Sequence, residues 1–218
     1  MENLGNSSLK VAEYLLQIKA IKLSIEKPFT WASGMKSPIY CDNRKTLSYP
    51  AIRNFLRQEF ITAIRNEYGE PDVIAGVATG GIALGALIAD HLGLPFIYVR
   101  SSSKGHGLQN KIEGELQSGQ SVVVIEDLIS TGKSSLDAVD AIRQAGGRVT
   151  GLAAIFTYGF DVSIEAFKKA ECRMLTLTDY RTMLIQATDD RYISEDDMES
   201  LNYWRTDPQN WAKNENKE

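Results

Sequence analysis

The spacing of apolar residues changes several times along the chain, and each change predicts an element. After Asn6-Ser7-Ser8, residues suited to capping a helix, LKVAEYLLQIKA places Leu9, Ala12, Leu15, Leu16 and Lys19 on one mostly apolar helical stripe. Residues 21–43, IKLSIEKPFTWASGMKSPIYCDN, instead carry β-branched and aromatic residues broken by Pro28, Ser33-Gly34 and Pro38. That alternation predicts a small β-rich flap. From Pro50, a favourable first helical position, Ile52, Phe55, Leu56, Ile64 and Tyr68 repeat at helical spacing until Gly69. Beyond it DVIAGVA, PFIYVR, SVVVIED, RVTGLAAIFTY and CRMLTLTD read as strands, separated by the helical patterns GIALGALIADHLG, TGKSSLDAVDAIRQAGG and VSIEAFKKA. Buried strands alternating with helices predict an α/β fold: a central, mostly parallel sheet with helices on both faces, preceded by the flap.

Helical spacing over Tyr180–Ala187 and the acidic start SEDDMESL predict two closing helices. Trp204 and Trp211 suggest a contact surface there, and residues from about 205 to 218 read as a polar tail. No repeat or linker divides the chain, so residues 1–218 are expected to form one domain with the flap at about 20–47.

Composition narrows the functional classes. The chain of 218 residues is 43% hydrophobic and 24% charged, enough for a sizeable core. Its formal charge of −4 and pI near 5.4 speak against a nucleic-acid partner, so basic work must be local. No apolar run reaches a membrane-spanning length and the first residues lack the order of a signal peptide, so a cytoplasmic address without membrane contact is expected. Cys41 and Cys172 form no metal-spaced set with His91 and His106, which disfavours structural zinc.

In open α/β sheets ligands bind outside the carboxyl ends of the strands. There the run VVVIEDLISTGKSS (122–135) ends a strand on Glu126 and Asp127 and turns through Ser130-Thr131-Gly132 into a helix. Gly132 allows an unusual backbone angle, the N–H groups of the turn converge at a helix N-terminus, and Thr131 and Ser134 add hydroxyls, so the turn suits a phosphate. Two carboxylates beside it suit a vicinal diol, because charged acceptors hold hydroxyls strongly. A ribose 5-phosphate satisfies both. The match of Gly132-Lys133-Ser134 to a Walker A loop is incidental, since position 127 is Asp where that motif needs Gly. Gly105-His106-Gly107 fails the dinucleotide fingerprint because Asn110 stands at its third Gly.

The strand, acid pair and loop resemble the phosphoribosyl-pyrophosphate signature of the type I phosphoribosyltransferases, and from Leu9 to about Tyr180 the chain resembles the branch of that family that uses orotate. The resemblance implies that Glu126, Asp127, Leu128, Ile129, Ser130, Thr131, Gly132, Lys133 and Ser134 bind phosphoribosyl pyrophosphate, together with Ala78, Thr79 and Gly80 in the turn AGVATGGIALG. It implies that Arg100, Lys104 and His106, in the basic loop VRSSSKGHGLQNKIEG, reach the pyrophosphate, in part across the interface of a homodimer with shared active sites. Asp127 joins these three as a catalytic candidate, and His106 is a candidate proton donor because histidine titrates near neutral pH. Mg²⁺ is the implied cofactor, bridging pyrophosphate and ribose hydroxyls, with Glu126 and Asp127 holding it indirectly or through those hydroxyls.

The flap FTWASGMKSPIYCDNRKTL resembles the cover of the orotate ring, with Lys36 and Ser37 at its polar edge and Tyr40 or Cys41 beside its face, and Ser130 contributing from the phosphate turn. Four positions depart from the family pattern. Ser101, Gly80 and Ala32 stand where relatives often carry lysine, and Tyr158 corresponds to an arginine that binds the orotate carboxylate in some relatives. Arg44, the nearest guanidinium in the flap, is the candidate replacement, since a planar carboxylate favours a bidentate fork. The implied reaction transfers ribose 5-phosphate to orotate, giving orotidine 5-monophosphate and pyrophosphate. The alternatives are a purine or other nucleobase phosphoribosyltransferase, and a non-catalytic sensor of phosphoribosyl pyrophosphate.

Overall fold

A computed structural model describes residues 2–31, 34–101 and 111–211. The chain separates into two compact units, residues 1–46 with 178–218, and residues 47–177.

The larger unit starts with α2 (Pro50–Tyr68), bounded by Pro50 and by Gly69 at φ 75° as the periodicity predicts. β5 (Val73–Val77), β6 (Phe96–Val99), β8 (Ser121–Ile129) and β9 (Arg148–Thr157) follow the expected apolar runs. Together with β7 (Ile112–Glu113) and β10 (Met174–Asp179) they form a six-stranded sheet in the order β10-β9-β8-β5-β6-β7. β5 pairs in parallel with β6 and β8, β8 pairs in parallel with β9, and β7 pairs antiparallel with β6. The chain order reverses between β5 and β8, which places the switch point at the carboxyl ends of those two strands.

Helices cover both faces. Val73, Ala75 and Val77 of β5 and Val122 and Val124 of β8 pack against Ala138, Val139 and Ile142 of α4 (Lys133–Gln144) and Phe167 of α5 (Asp161–Lys169). On the opposite side of β5, Gly76 lies against the backbone of α3 (Gly80–Leu92), where a side chain would meet the Gly81 carbonyl at 2.7 Å. The amino end of β8 is fastened to that of β5: the Asp72 carboxylate accepts from the Ser121 N–H at 2.7 Å and its hydroxyl at 2.6 Å. These bonds lower the Asp72 pKa. A depressed folded-state pKa stabilises above the unfolded value and the effect is lost as pH falls through the folded one. Asp72→Asn is therefore expected to lower the urea midpoint at pH 7, with the gap to wild type closing below about pH 4, near the unfolded carboxyl value. A gap unchanged down to pH 3 would refute this role.

The smaller unit holds α1 (Glu2–Gln17), the antiparallel pairs β1 (Ile21–Leu23) with β4 (Ile39–Cys41) and β2 (Phe29–Thr30) with β3 (Lys36–Ser37), and a 3-10 turn over Asn43–Ser48 that leads out of it. The expected flap is present. The two closing helices are α6 (Tyr180–Asp189) and α7 (Glu195–Thr206), the latter opened by a capping box between Ser194 and Asp197.

Two expectations change here. α1 runs through Asn6-Ser7-Ser8 rather than starting after them. Trp204 and Trp211 are 0% and 2% exposed, so they are core and not a contact surface. Trp204 meets Trp31 edge-on at 5.8 Å, and the Trp211 indole N–H donates to Ser200 at 3.1 Å, which carries the structured chain past the expected start of the tail.

Candidate active site

β8 does not stop at its acids. Leu128 and Ile129 pair with Phe156 and Thr157 of β9, so Glu126 and Asp127 lie inside the last turn of a strand whose apolar residues continue beyond them. Glu126 is 4% exposed. One of its oxygens accepts the Asp127 N–H at 3.0 Å and the other the Ser135 hydroxyl at 3.2 Å. Burial, followed by hydrogen bonding to Asp127 and its charge, raises the Glu126 pKa far above the usual carboxylate range. Asp127 is half-buried.

The following turn is built around Gly132, which caps α4 at φ 81° and sits where a side chain would meet the Phe167 ring at 2.8 Å. Ser130 is half-buried, while Thr131, Lys133 and Ser134 are exposed. Lys133 pairs with Asp137 one turn along at 2.7 Å, so it stabilises the helix rather than acting as a Walker lysine.

The second turn, Ala78-Thr79-Gly80, leaves β5 for α3, and its Ala78–Thr79 peptide is cis. It stands directly against the first. A side chain at Gly80 would run into the Asp127 carboxylate, and one at Gly81 into the Ile125 carbonyl. Gly81 serves close helix–sheet packing. Ala78 also donates its N–H to the Val99 carbonyl at 2.9 Å, which ties this turn to the end of β6.

Arg100 follows β6. Its backbone is held by Lys111 at 2.8 Å and its guanidinium pairs with Glu113 at 3.3 Å. Lys104 and His106, like Ala32, lie outside the described residues. Tyr158 is 2% exposed, stacked on Phe160 at 5.2 Å and edge-on to Phe156 at 5.3 Å. Its N–H donates to the Ile129 carbonyl, which places it beside the β8 turn as a core aromatic.

In the smaller unit, the Lys36 ammonium donates to the Thr30 hydroxyl at 2.8 Å and Ser37 is fully buried, its hydroxyl bonded to the Ile39 carbonyl at 2.8 Å. Tyr40 is 41% exposed and packs on Phe29 at 5.8 Å. Arg44 is 58% exposed and pairs with Asp42 at 2.7 Å, which lowers the Asp42 pKa.

Two residues of the site went unread in the sequence. Glu113 could not be found because the strand that brings it to Arg100 is only two residues long. Ser135 was legible only as a helix residue one position beyond the β8–α4 turn.

A parallel sheet whose switch point carries two facing turns, one with an acid pair, defines a phosphoribosyltransferase, and the family model described as "Phosphoribosyl transferase domain" matches residues 51–190. An orotate phosphoribosyltransferase of Phocaeicola vulgatus is 60% identical over 92% of this chain and 94% of its own. The chain belongs to the orotate phosphoribosyltransferase family.

Among solved structures, UMP synthase of Leishmania donovani superposes with a TM-score of 0.76 at 26% identity, over 91% of this chain and 42% of that longer one. Orotate phosphoribosyltransferase of Aeropyrum pernix superposes with a TM-score of 0.73 at 24% identity, over 84% of this chain and 99% of its own, a likeness of fold. Among the described residues no helix is long and apolar enough to cross a membrane.

Proposed function

We propose that the chain joins orotate N1 to C1 of phosphoribosyl pyrophosphate with inversion, releasing pyrophosphate and giving orotidine 5-monophosphate, in the cytoplasm. The observation that carries this reading is the Asp127 carboxylate seated on the Gly80 turn beside the β8–α4 phosphate turn. The sugar hydroxyls then face Glu126 and Asp127, the 5-phosphate takes the N–H groups of Ser130–Ser134, and the pyrophosphate lies along Ala78–Gly80 on the N–H groups of Thr79 and Gly80.

No nucleophilic side chain is required. Breaking the C1–O bond builds positive charge on the sugar, so catalysis comes from alignment and from neutralising the departing anion. Arg100, Lys104 and His106 supply that charge, in part from the second subunit of a homodimer, and His106 offers a proton to the leaving oxygen.

The donor set suits magnesium. Among the described residues no cluster of three or more His, Cys, Asp and Glu side chains forms a cage, whereas Mg²⁺ is commonly held by one or two carboxylates plus substrate phosphates. Bound there, it supplies charge stabilisation to the pyrophosphate.

The flap is assigned to the base through Lys36, Ser37 and Tyr40, with Arg44 for the orotate carboxylate. Arg44→Ala is expected to raise the orotate KM about tenfold, the loss of one charged hydrogen-bonding partner, with the phosphoribosyl pyrophosphate KM unchanged. An unaltered orotate KM would remove Arg44 from the site.

The reaction itself is tested by the absorbance of orotate with enzyme, phosphoribosyl pyrophosphate and Mg²⁺, alongside purine bases. Consumption of orotate alone is expected. Consumption of a purine instead would overturn the base assignment, and binding without turnover would leave a sensor.

A further inference from the structure

Ser135 lies one residue beyond the phosphate turn, in the first turn of α4, and is 1% exposed. Its hydroxyl donates to Glu126 at 3.2 Å across the gap between helix and strand. With the Asp127 N–H on the other oxygen at 3.0 Å, both oxygens of the Glu126 carboxyl are held, which sets the plane of the group. A buried acid with one oxygen unheld would be free to rotate about its last torsion, which is broad.

The same bond has a second effect. α4 leaves β8 through Gly132, a residue whose backbone freedom would otherwise let the helix start swing. Ser135 fastens the first turn of that helix back onto the strand it left. The N–H groups of the turn and the carboxyl of Glu126 thereby keep a fixed separation.

We propose that Ser135 is a positioning residue for the sugar phosphate, acting through Glu126: it orients that carboxyl and locks the phosphate turn to it. This rests on the reading of the β8–α4 turn as the site of phosphoribosyl pyrophosphate. Ser135 is 1% exposed, so its role is assigned through Glu126 and not by contact with the ligand, unlike that of the turn's own residues.

Steady-state kinetics and direct binding of phosphoribosyl pyrophosphate, measured for wild type, Ser135→Ala, Ser135→Thr, Glu126→Gln and the Ser135→Ala/Glu126→Gln pair, decide it. Ser135→Ala should raise the KM and Kd for phosphoribosyl pyrophosphate about tenfold, as for loss of one hydrogen bond to an acid, and leave the orotate KM unchanged. Ser135→Thr, which keeps the hydroxyl, should recover most of the affinity. In the Glu126→Gln background Ser135→Ala should add less than about twofold, because contacting groups are non-additive. Should Ser135→Ala not fold, Ser135→Cys, of similar size and with a weak donor, serves the same comparison.

An unchanged KM in Ser135→Ala, an equal rise in the orotate KM, or a full additional loss on top of Glu126→Gln would each overturn the proposal. Wild-type protein that fails to bind phosphoribosyl pyrophosphate would instead overturn the site reading beneath it.

Discussion

Alanine at Gly80 is expected to lower kcat/KM for phosphoribosyl pyrophosphate by about ten- to a hundredfold in a protein that still folds, whereas alanine at Gly81 is expected to destabilise the fold itself. The two glycines are neighbours, yet a side chain on each meets a different kind of obstacle. At Gly80 the obstacle is the Asp127 carboxylate, the far end of a flexible side chain that can rotate away. Rotation costs the fold little but, on the proposed reading, would take the carboxylate away from the ribose hydroxyls. Losing hydrogen bonds to a charged group at roughly 1.5–3 kcal/mol is about a ten- to hundredfold effect at about 1.4 kcal/mol per factor of ten.

At Gly81 the obstacle is the Ile125 carbonyl, inside a strand paired to β5 on one side and β9 on the other. That oxygen has nowhere to go, so α3 must lift from the sheet, an overpacking cost of about 1–3 kcal/mol. Urea midpoints and phosphoribosyl pyrophosphate kinetics for both variants make the comparison. Full activity in Gly80→Ala would show that Asp127 is not needed where it sits.

Gly132→Ala is expected to damage stability and binding together. At φ 81° an L side chain costs about 1–2 kcal/mol. The new Cβ would also stand 2.8 Å from the ring of Phe167, which is 3% exposed and packed in the core. Displacing that ring adds about 1–3 kcal/mol. Together these are expected to lower the thermal midpoint by roughly 4–20 °C for a chain of this size. Because Gly132 is also the cap of α4, its distortion turns the N–H groups of the phosphate turn away from their common focus. Differential scanning calorimetry and titration with phosphoribosyl pyrophosphate should show both losses. Weakened binding at an unchanged midpoint would mean that Phe167 yields freely.

What local pattern could predict, the structure bears out. Pro50 and Gly69 bound α2, the apolar runs became β5, β6, β8, β9 and β10, and the Ser194 box opens α7. Local pattern also misplaced some boundaries. The charged pair Glu126-Asp127 looked like the end of β8, but Leu128 and Ile129 carry the strand on because β9 offers them partners. Trp204 and Trp211 looked like surface residues in a polar stretch, and burial among aromatic and hydroxyl neighbours from other elements made them core.

By itself the sequence determined the order of helices and strands, the α/β class, the acid pair and the glycine that bends the β8–α4 turn, because periodicity, caps and φ-permissive residues act over a few neighbouring positions. Only the tertiary structure decided that Gly80 faces Asp127, that Ser135 holds Glu126 and that Glu113 pairs with Arg100. Those meetings depend on β5 and β8 lying side by side and on helix and strand closing over one another, and no local pattern encodes the distance between residues brought together from separate strands and helices.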